Sequence, residues 1–200
     1  MKMKKAALIA GILGAVIIGS SITITQQNEY KLIRQFGKVD RVISSSGISF
    51  KIPFIESTQS LPKETLLYDL AASDVITKDK KTMISDSYVL WKISDPLKFA
   101  QTLNSSVESG ESRINTAVYN ATKNAISSMS QDQVITSRDG ELSDMVMEAI
   151  GTNMDQYGIE LLKFETKQLD LPDDNKEAVY ERMISERDNI AATYKAEGNS

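Results

Sequence analysis

The sequence contains no cysteine and no histidine. Disulfides, thiolate nucleophiles and Cys/His zinc sites are therefore excluded. So are the Ser-His-Asp and Cys-His arrangements, which need an imidazole to shuttle the proton. No side chain has an unperturbed pKa near neutrality. An enzyme built from carboxylates, lysine or a hard metal ion stays open, but no motif marks one. There is no P-loop, no dinucleotide-binding glycine pattern, no Gly-x-Ser-x-Gly and no calcium loop. Asp132 and the pair Asp173-Asp174 suggest carboxylate chemistry less readily than helix-opening acids that suit the macrodipole. No catalytic, cofactor-binding or metal-ligating residue is assigned, and no cofactor is expected.

What the 200 residues do contain is unevenly distributed charge. Formal net charge is -4, from 23 basic and 27 acidic residues. Three lysines fall within Met1–Lys5, and residues 6–25 carry no charge at all. A helix of that length rises about 30 Å, the thickness of a bilayer's hydrocarbon core. Removing the basic tail leaves 20 basic and 27 acidic residues, a body of net charge -7. This acidic balance argues against nucleic acid as a partner. Two readings suit the apolar run: a cleaved signal peptide ending near Gly19, Ser20 and Ser21, or an uncleaved transmembrane anchor over 6–25. The continuation through Ile22 and Ile24 favours the anchor. In both, the basic tail of residues 1–5 stays cytoplasmic and the body is extracytoplasmic.

The body predicts an α+β fold. Strand-like runs occupy Tyr30–Phe36, Arg41–Ile43, Ile48–Ile52, Thr65–Leu70 and Met83–Ile93, punctuated by Gly37, Gly47 and Pro53. Met83–Ile93 is apolar on both faces, which predicts a central strand or one packed on both sides. After Asp95-Pro96 the period changes to that of a helix. Helices are predicted over 111–128, with Ile114, Ala117, Val118, Ala121 and Ala125 as the buried stripe, and over 140–157, stopped by Gly158. Ile159–Leu169 reads as a strand. Pro172-Asp173-Asp174 opens a last, highly charged helix whose thin stripe is Val179, Met183, Ile190 and Tyr194. Such a stripe suits a partner helix better than a globular core, so these four are candidate oligomer-interface residues.

Three segments together resemble a known family. They are Arg34–Val39 with Gly47–Glu56, then Val75–Lys81 leading into Asp86–Pro96, and last Gln168–Pro172 with Ala178–Arg187. In this order and spacing the chain resembles the SPFH (stomatin, prohibitin, flotillin, HflK/HflC) or band 7 family, its HflC branch in particular. The resemblance implies a β-rich subdomain over 26–95, an α/β subdomain over 96–172 and the start of a long oligomerisation helix over 173–200. It implies a non-enzymatic scaffold in the bacterial inner (plasma) membrane. Such a scaffold assembles with itself and an HflK-like subunit, and regulates an FtsH-type, ATP-dependent membrane protease. A stomatin-like homo-oligomeric organiser of membrane microdomains is the alternative. HflC-like chains continue past the position of Gly198 with a long Ala/Glu-rich helix and a C-terminal region, so this chain is expected to be truncated, a fragment or an unusually short relative. The family's proline-containing segment lies near the bilayer, which makes Phe50, Phe54 and Ile55 candidate membrane contacts; packing in the domain core is the other reading of the same three residues.

Overall fold

The computed structural model describes residues 16, 18–137 and 140–170, together with 184, 185, 187–189, 191 and 194. Residues 18–21 are helical, and among the described residues no helix is long and apolar enough to cross a membrane. The basic tail and most of the apolar run, like Val179, Met183 and Ile190, lie outside the described residues. The run's last four residues depart from the expected helix. They form strand β1 (Ile22–Thr25). The physical reason is local: Ile-Thr-Ile-Thr is wholly β-branched, with restricted χ1 in a helix and good packing on a pleated surface.

Strands β2 (Glu29–Gln35), β3 (Lys38–Ile43), β4 (Gly47–Phe50) and β5 (Glu56–Pro62) follow. They make two small antiparallel sheets, one of β1 with β4 and one in the order β3-β2-β5. The long strands β6 (Leu66–Ile76), β7 (Thr82–Ile93) and β8 (Ile159–Asp170) form a third sheet with β7 central, as its two apolar faces predicted. Between β7 and β8 lie α1 (Pro96–Leu103), α2 (Val107–Ser128), α3 (Gln131–Thr136) and α4 (Glu141–Ile150). The helix expected over 140–157 thus ends early. Gly151 takes a positive φ of 50°, and only a short 3-10 turn (Asp155–Tyr157) follows before Gly158.

The contacts group into two compact units that are discontinuous in sequence. The first comprises residues up to 68, 89–118 and 150–163. Its core holds Leu32, Ile33, Leu61, Trp91, Phe99, Ile114 and Ile159, all essentially inaccessible to solvent. Trp91 and Phe99 stack with ring centroids 6.3 Å apart, and Gly110 lies against both rings. Helix α1 starts where the sequence signals it. Asp95 accepts hydrogen bonds from the backbone N–H of Leu97 and Lys98, both at 3.0 Å, and Pro96 sits at the first helical position. The Arg34 guanidinium donates to Ser105 Oγ at 2.7 Å and ties β2 to the α1–α2 loop.

The second unit comprises 69–88, 119–149 and 164 onward. Leu70, Val75, Met83, Ile126, Val134, Leu142, Val146 and Phe164 fill its core. The turn between β6 and β7 is fastened to α3: Asp79 Oδ1 accepts from Thr77 Oγ1 at 2.6 Å and from the Gln131 N–H at 3.1 Å. These bonds hold the Asp79 carboxyl down at about 2. Ser130 and Gln133 close a capping box at the start of α3.

Candidate membrane-contact surface

Strand β1 pairs with β4 in the register Ile22 to Phe50, Thr23 to Ser49, Ile24 to Ile48 and Thr25 to Gly47. Because side chains alternate along a strand, Ile22, Ile24, Ile48 and Phe50 share one face, and Thr23, Thr25 and Ser49 share the other. The solvent exposure is reversed from that of an ordinary two-layer sheet. Thr25 is buried and Thr23 and Ser49 are half-buried, whereas Ile24, Ile48 and Phe50 are 64%, 69% and 68% exposed. A half-buried strand normally turns its apolar side chains inward. A contiguous apolar face turned outward is the kind of surface that meets a partner protein or a membrane.

Exposed apolar side chains continue past β4. Ile52, Phe54 and Ile55 are exposed, Phe54 at 90%. Packing in the core therefore does not explain Phe50, Phe54 or Ile55. Phe54 adopts a left-handed φ of 67°, a conformation that costs a residue bearing a Cβ about 1–2 kcal/mol. The turn that displays it is pinned on both sides. Glu56 N–H donates to the Ile52 carbonyl at 2.9 Å, and Ile52 N–H donates to Glu56 Oε2 at 2.8 Å. Arg41 reaches across from β3 to donate to the Phe50 carbonyl and, at 3.4 Å, to Glu56 Oε2. Glu56 is itself buried, so its carboxylate is a fixed post rather than a solvated charge. Lys51 N–H donates to the Ser21 carbonyl at 2.8 Å, which joins this turn to the helical residues preceding β1.

Sequence reasoning missed a further exposed aromatic at the same end of the sheet. Phe36 is 86% exposed at the tip of the β2–β3 hairpin. The two-residue loop Phe36-Gly37 has both residues at positive φ, 49° and 83°, the geometry that matches strand twist and ordinarily selects Asn-Gly. The signal was present in the sequence: a phenylalanine where such a turn favours a small polar residue. Gln35 pairs with both Lys38 and Glu56, so the Phe36-Gly37 turn and the Phe54-Ile55 turn leave the sheet at the same end.

No group of three carboxylates able to hold a metal converges among the described residues. A shallow polar cleft of about 350 Å³ lies between α1 and α2, lined by Thr102, Asn104, Ser109, Ser112 and Arg113. The Arg113 guanidinium is engaged 5.6 Å over the Tyr157 ring. Away from the apolar face, Glu29 is held at about 2 by hydrogen bonds from Lys31, the Gln26 N–H and Ser60. Lys167 bridges Asp69 and Asp86, which raise its pKa. These are ion pairs of the fold, not perturbed acids facing a cleft. Of the candidate oligomer residues, Tyr194 is described and exposed.

Comparison with known proteins adds to this geometry. The sequence profile of the SPFH domain / Band 7 family matches residues 23–200. Protein HflC of Haemophilus influenzae is 29% identical over 92% of this chain and 66% of its own length. The chain thus spans slightly less than two thirds of that relative. The modulator of FtsH protease HflC of Escherichia coli K12 is 24% identical over 98% of this chain and 72% of its own length. An uncharacterised protein of Methanocaldococcus jannaschii is 30% identical over 96% of this chain and 93% of its own length.

Proposed function

The chain belongs to the SPFH domain / Band 7 family, and on that premise we propose that it is a membrane-anchored scaffold subunit that oligomerises and regulates an FtsH-type membrane protease. The observation that carries the membrane part is the outward apolar face of β1 and β4 with its extension through Phe54 and Ile55. The uncharged run of residues 6–25 ends in β1 itself, so the apolar stretch that precedes this face is residues 6–21, which rises about 24 Å as a helix. In this reading the span anchors the chain in the bacterial inner membrane, and Phe50, Phe54 and Ile55 rest in the interfacial layer beside it. The hydrophobic effect supports the arrangement: fully burying a Phe or Ile side chain contributes about 1.5–3 kcal/mol, and this face leaves several of them in water. The name of the Escherichia coli relative, a modulator of FtsH protease, supports the regulatory part. The acidic body and the absence of histidine and cysteine fit work done by assembly. Lateral assembly is assigned to the charged segment from residue 173, with Val179, Met183, Ile190 and Tyr194 as its apolar seam and an HflK-like subunit as the partner.

The test is affinity purification of the full-length chain from mild detergent. Co-purification of an HflK-like chain and an FtsH-type protease is the expected result. A monomer without either would refute the proposal. A homo-oligomer without the protease would replace it with the stomatin-like organiser.

A further inference from the structure

We propose that the same surface includes the β2–β3 hairpin tip, with Phe36 inserting beside Phe54, and that Lys38 and Lys51 make it select anionic phospholipid headgroups. This rests on the membrane contact proposed above and extends it to residues on another hairpin and to a lipid class. The geometric support is the shared register at Gln35, which brings the Phe36-Gly37 and Phe54-Ile55 turns to one end of the sheet. Phe36 is displayed at a left-handed φ and contributes nothing to the core.

The electrostatic support is a local reversal of charge. Residues 26–200 carry net charge -7, yet the segment 36–56 holds three basic and two acidic residues. Arg41 and the buried Glu56 in that segment are occupied with each other. Lys38 adjoins the Phe36-Gly37 turn and Lys51 adjoins Phe50, and among the described residues neither lysine has an ion-pair partner. An acidic body is repelled by an anionic leaflet, so a face that docks there needs its own cations. A lysine beside an inserted aromatic can lay its stem on the apolar phase and keep its ammonium at headgroup level. Its attraction to an anionic surface amounts to about fivefold in the docking equilibrium.

The experiment uses the full chain reconstituted in vesicles whose acyl chains carry bromine, which quenches tryptophan at the depth of the chains. Trp91, the sole tryptophan, is buried and supplies the baseline. Phe54→Trp reports the contact proposed earlier, and Phe36→Trp reports the extension. Vesicles are pure phosphatidylcholine or an equal mixture with phosphatidylglycerol. Both variants should be quenched, and Phe36→Trp more strongly in the mixture. Adding Lys38→Gln or Lys51→Gln to Phe36→Trp should lower the docked-to-undocked ratio about fivefold each in the mixture alone. Quenching of Phe54→Trp without quenching of Phe36→Trp overturns the extension and leaves the earlier contact standing. Quenching of neither overturns both. Equal quenching of Phe36→Trp in the two lipids, unchanged by the lysine substitutions, overturns headgroup selection.

Discussion

Replacing Gly158 with alanine should be among the most damaging single-methyl additions in the chain. Gly158 sits at a positive φ of 69°, so any Cβ there carries a left-handed penalty of about 1–2 kcal/mol. Space makes it worse. The added carbon would collide with the Asp95 carbonyl oxygen and approach the Phe99 backbone nitrogen to 3.0 Å. Neither atom can retreat cheaply. Asp95 is the N-cap of α1, and the N–H groups of Ser94 and Asp95 both donate to the Gly158 carbonyl, at 3.0 and 3.2 Å. Phe99 is fully buried against Trp91. Relief requires giving up those two bonds, each about 1 kcal/mol net, and loosening a cap of about 1 kcal/mol. The expected loss is therefore about 3–5 kcal/mol, the range reserved for a named structural insult. Urea unfolding followed by Trp91 emission reads the first unit directly, because that ring lies in the affected cluster. Gly37→Ala is the control, since Gly37 also has a positive φ, 83°, but open space where a Cβ would go. At a slope of about 2 kcal/mol per molar urea, Gly158→Ala should lower the midpoint by about 2 M and Gly37→Ala by less than half of that. Equal shifts for the two variants would refute the close-approach argument and leave only the backbone angle.

Three further outcomes are expected. Gly110→Ala would place a carbon 3.0 and 3.2 Å from two Phe99 ring atoms and 3.4 Å from Trp91, so it should cost about 1–3 kcal/mol and alter Trp91 emission, read by denaturation and fluorescence. Asp79 is lowered from 3.8 to about 2, so its contribution to stability is present above pH 3.8 and disappears as pH falls toward 2; Asp79→Asn should flatten that part of an acid titration followed by circular dichroism. Lys167 is raised by Asp69 and Asp86, so its contribution is complete below 10.5 and is lost as pH rises through the higher folded value; Lys167→Met should reduce the alkaline loss of stability in the same measurement.

The fold was legible where local chemistry and tertiary context agree. The two-faced run Met83–Ile93 lies in the central strand β7, Ile114, Val118, Ala121 and Ala125 of the predicted stripe are buried on α2 with Ala117 half-buried, and Asp95-Pro96 starts α1. Strand β5 was not legible, because Glu56–Pro62 is polar and owes its conformation to a seven-residue pairing with β2. Helix α3 was overlooked although Ser130-x-x-Gln133 is a readable capping box. The apolar face misled periodicity in a different way. Ile22 and Ile24 extend a hydrophobic run, so they read as the end of a span, yet their alternation with threonine is that of a strand. Phe50, Phe54 and Ile55 were singled out from the sequence, and the structure places all three in solvent. Phe36 was not, because only the pairing of Gln35 with both neighbours shows that its turn shares their end of the sheet.

The joint between the helical residues 18–21 and β1 leaves no linker: the ladder to β4 begins at the next residue, and the Lys51–Ser21 bond extends it backwards. A joint without slack has a mechanical meaning. A tilt or rotation of whatever precedes residue 22 must be passed to the body as torque rather than absorbed by a swivel. A pull along the chain loads the four residue pairs of the ladder in shear, all at once, instead of peeling them one by one. The first unit therefore keeps a fixed heading relative to the chain that enters it at residue 22.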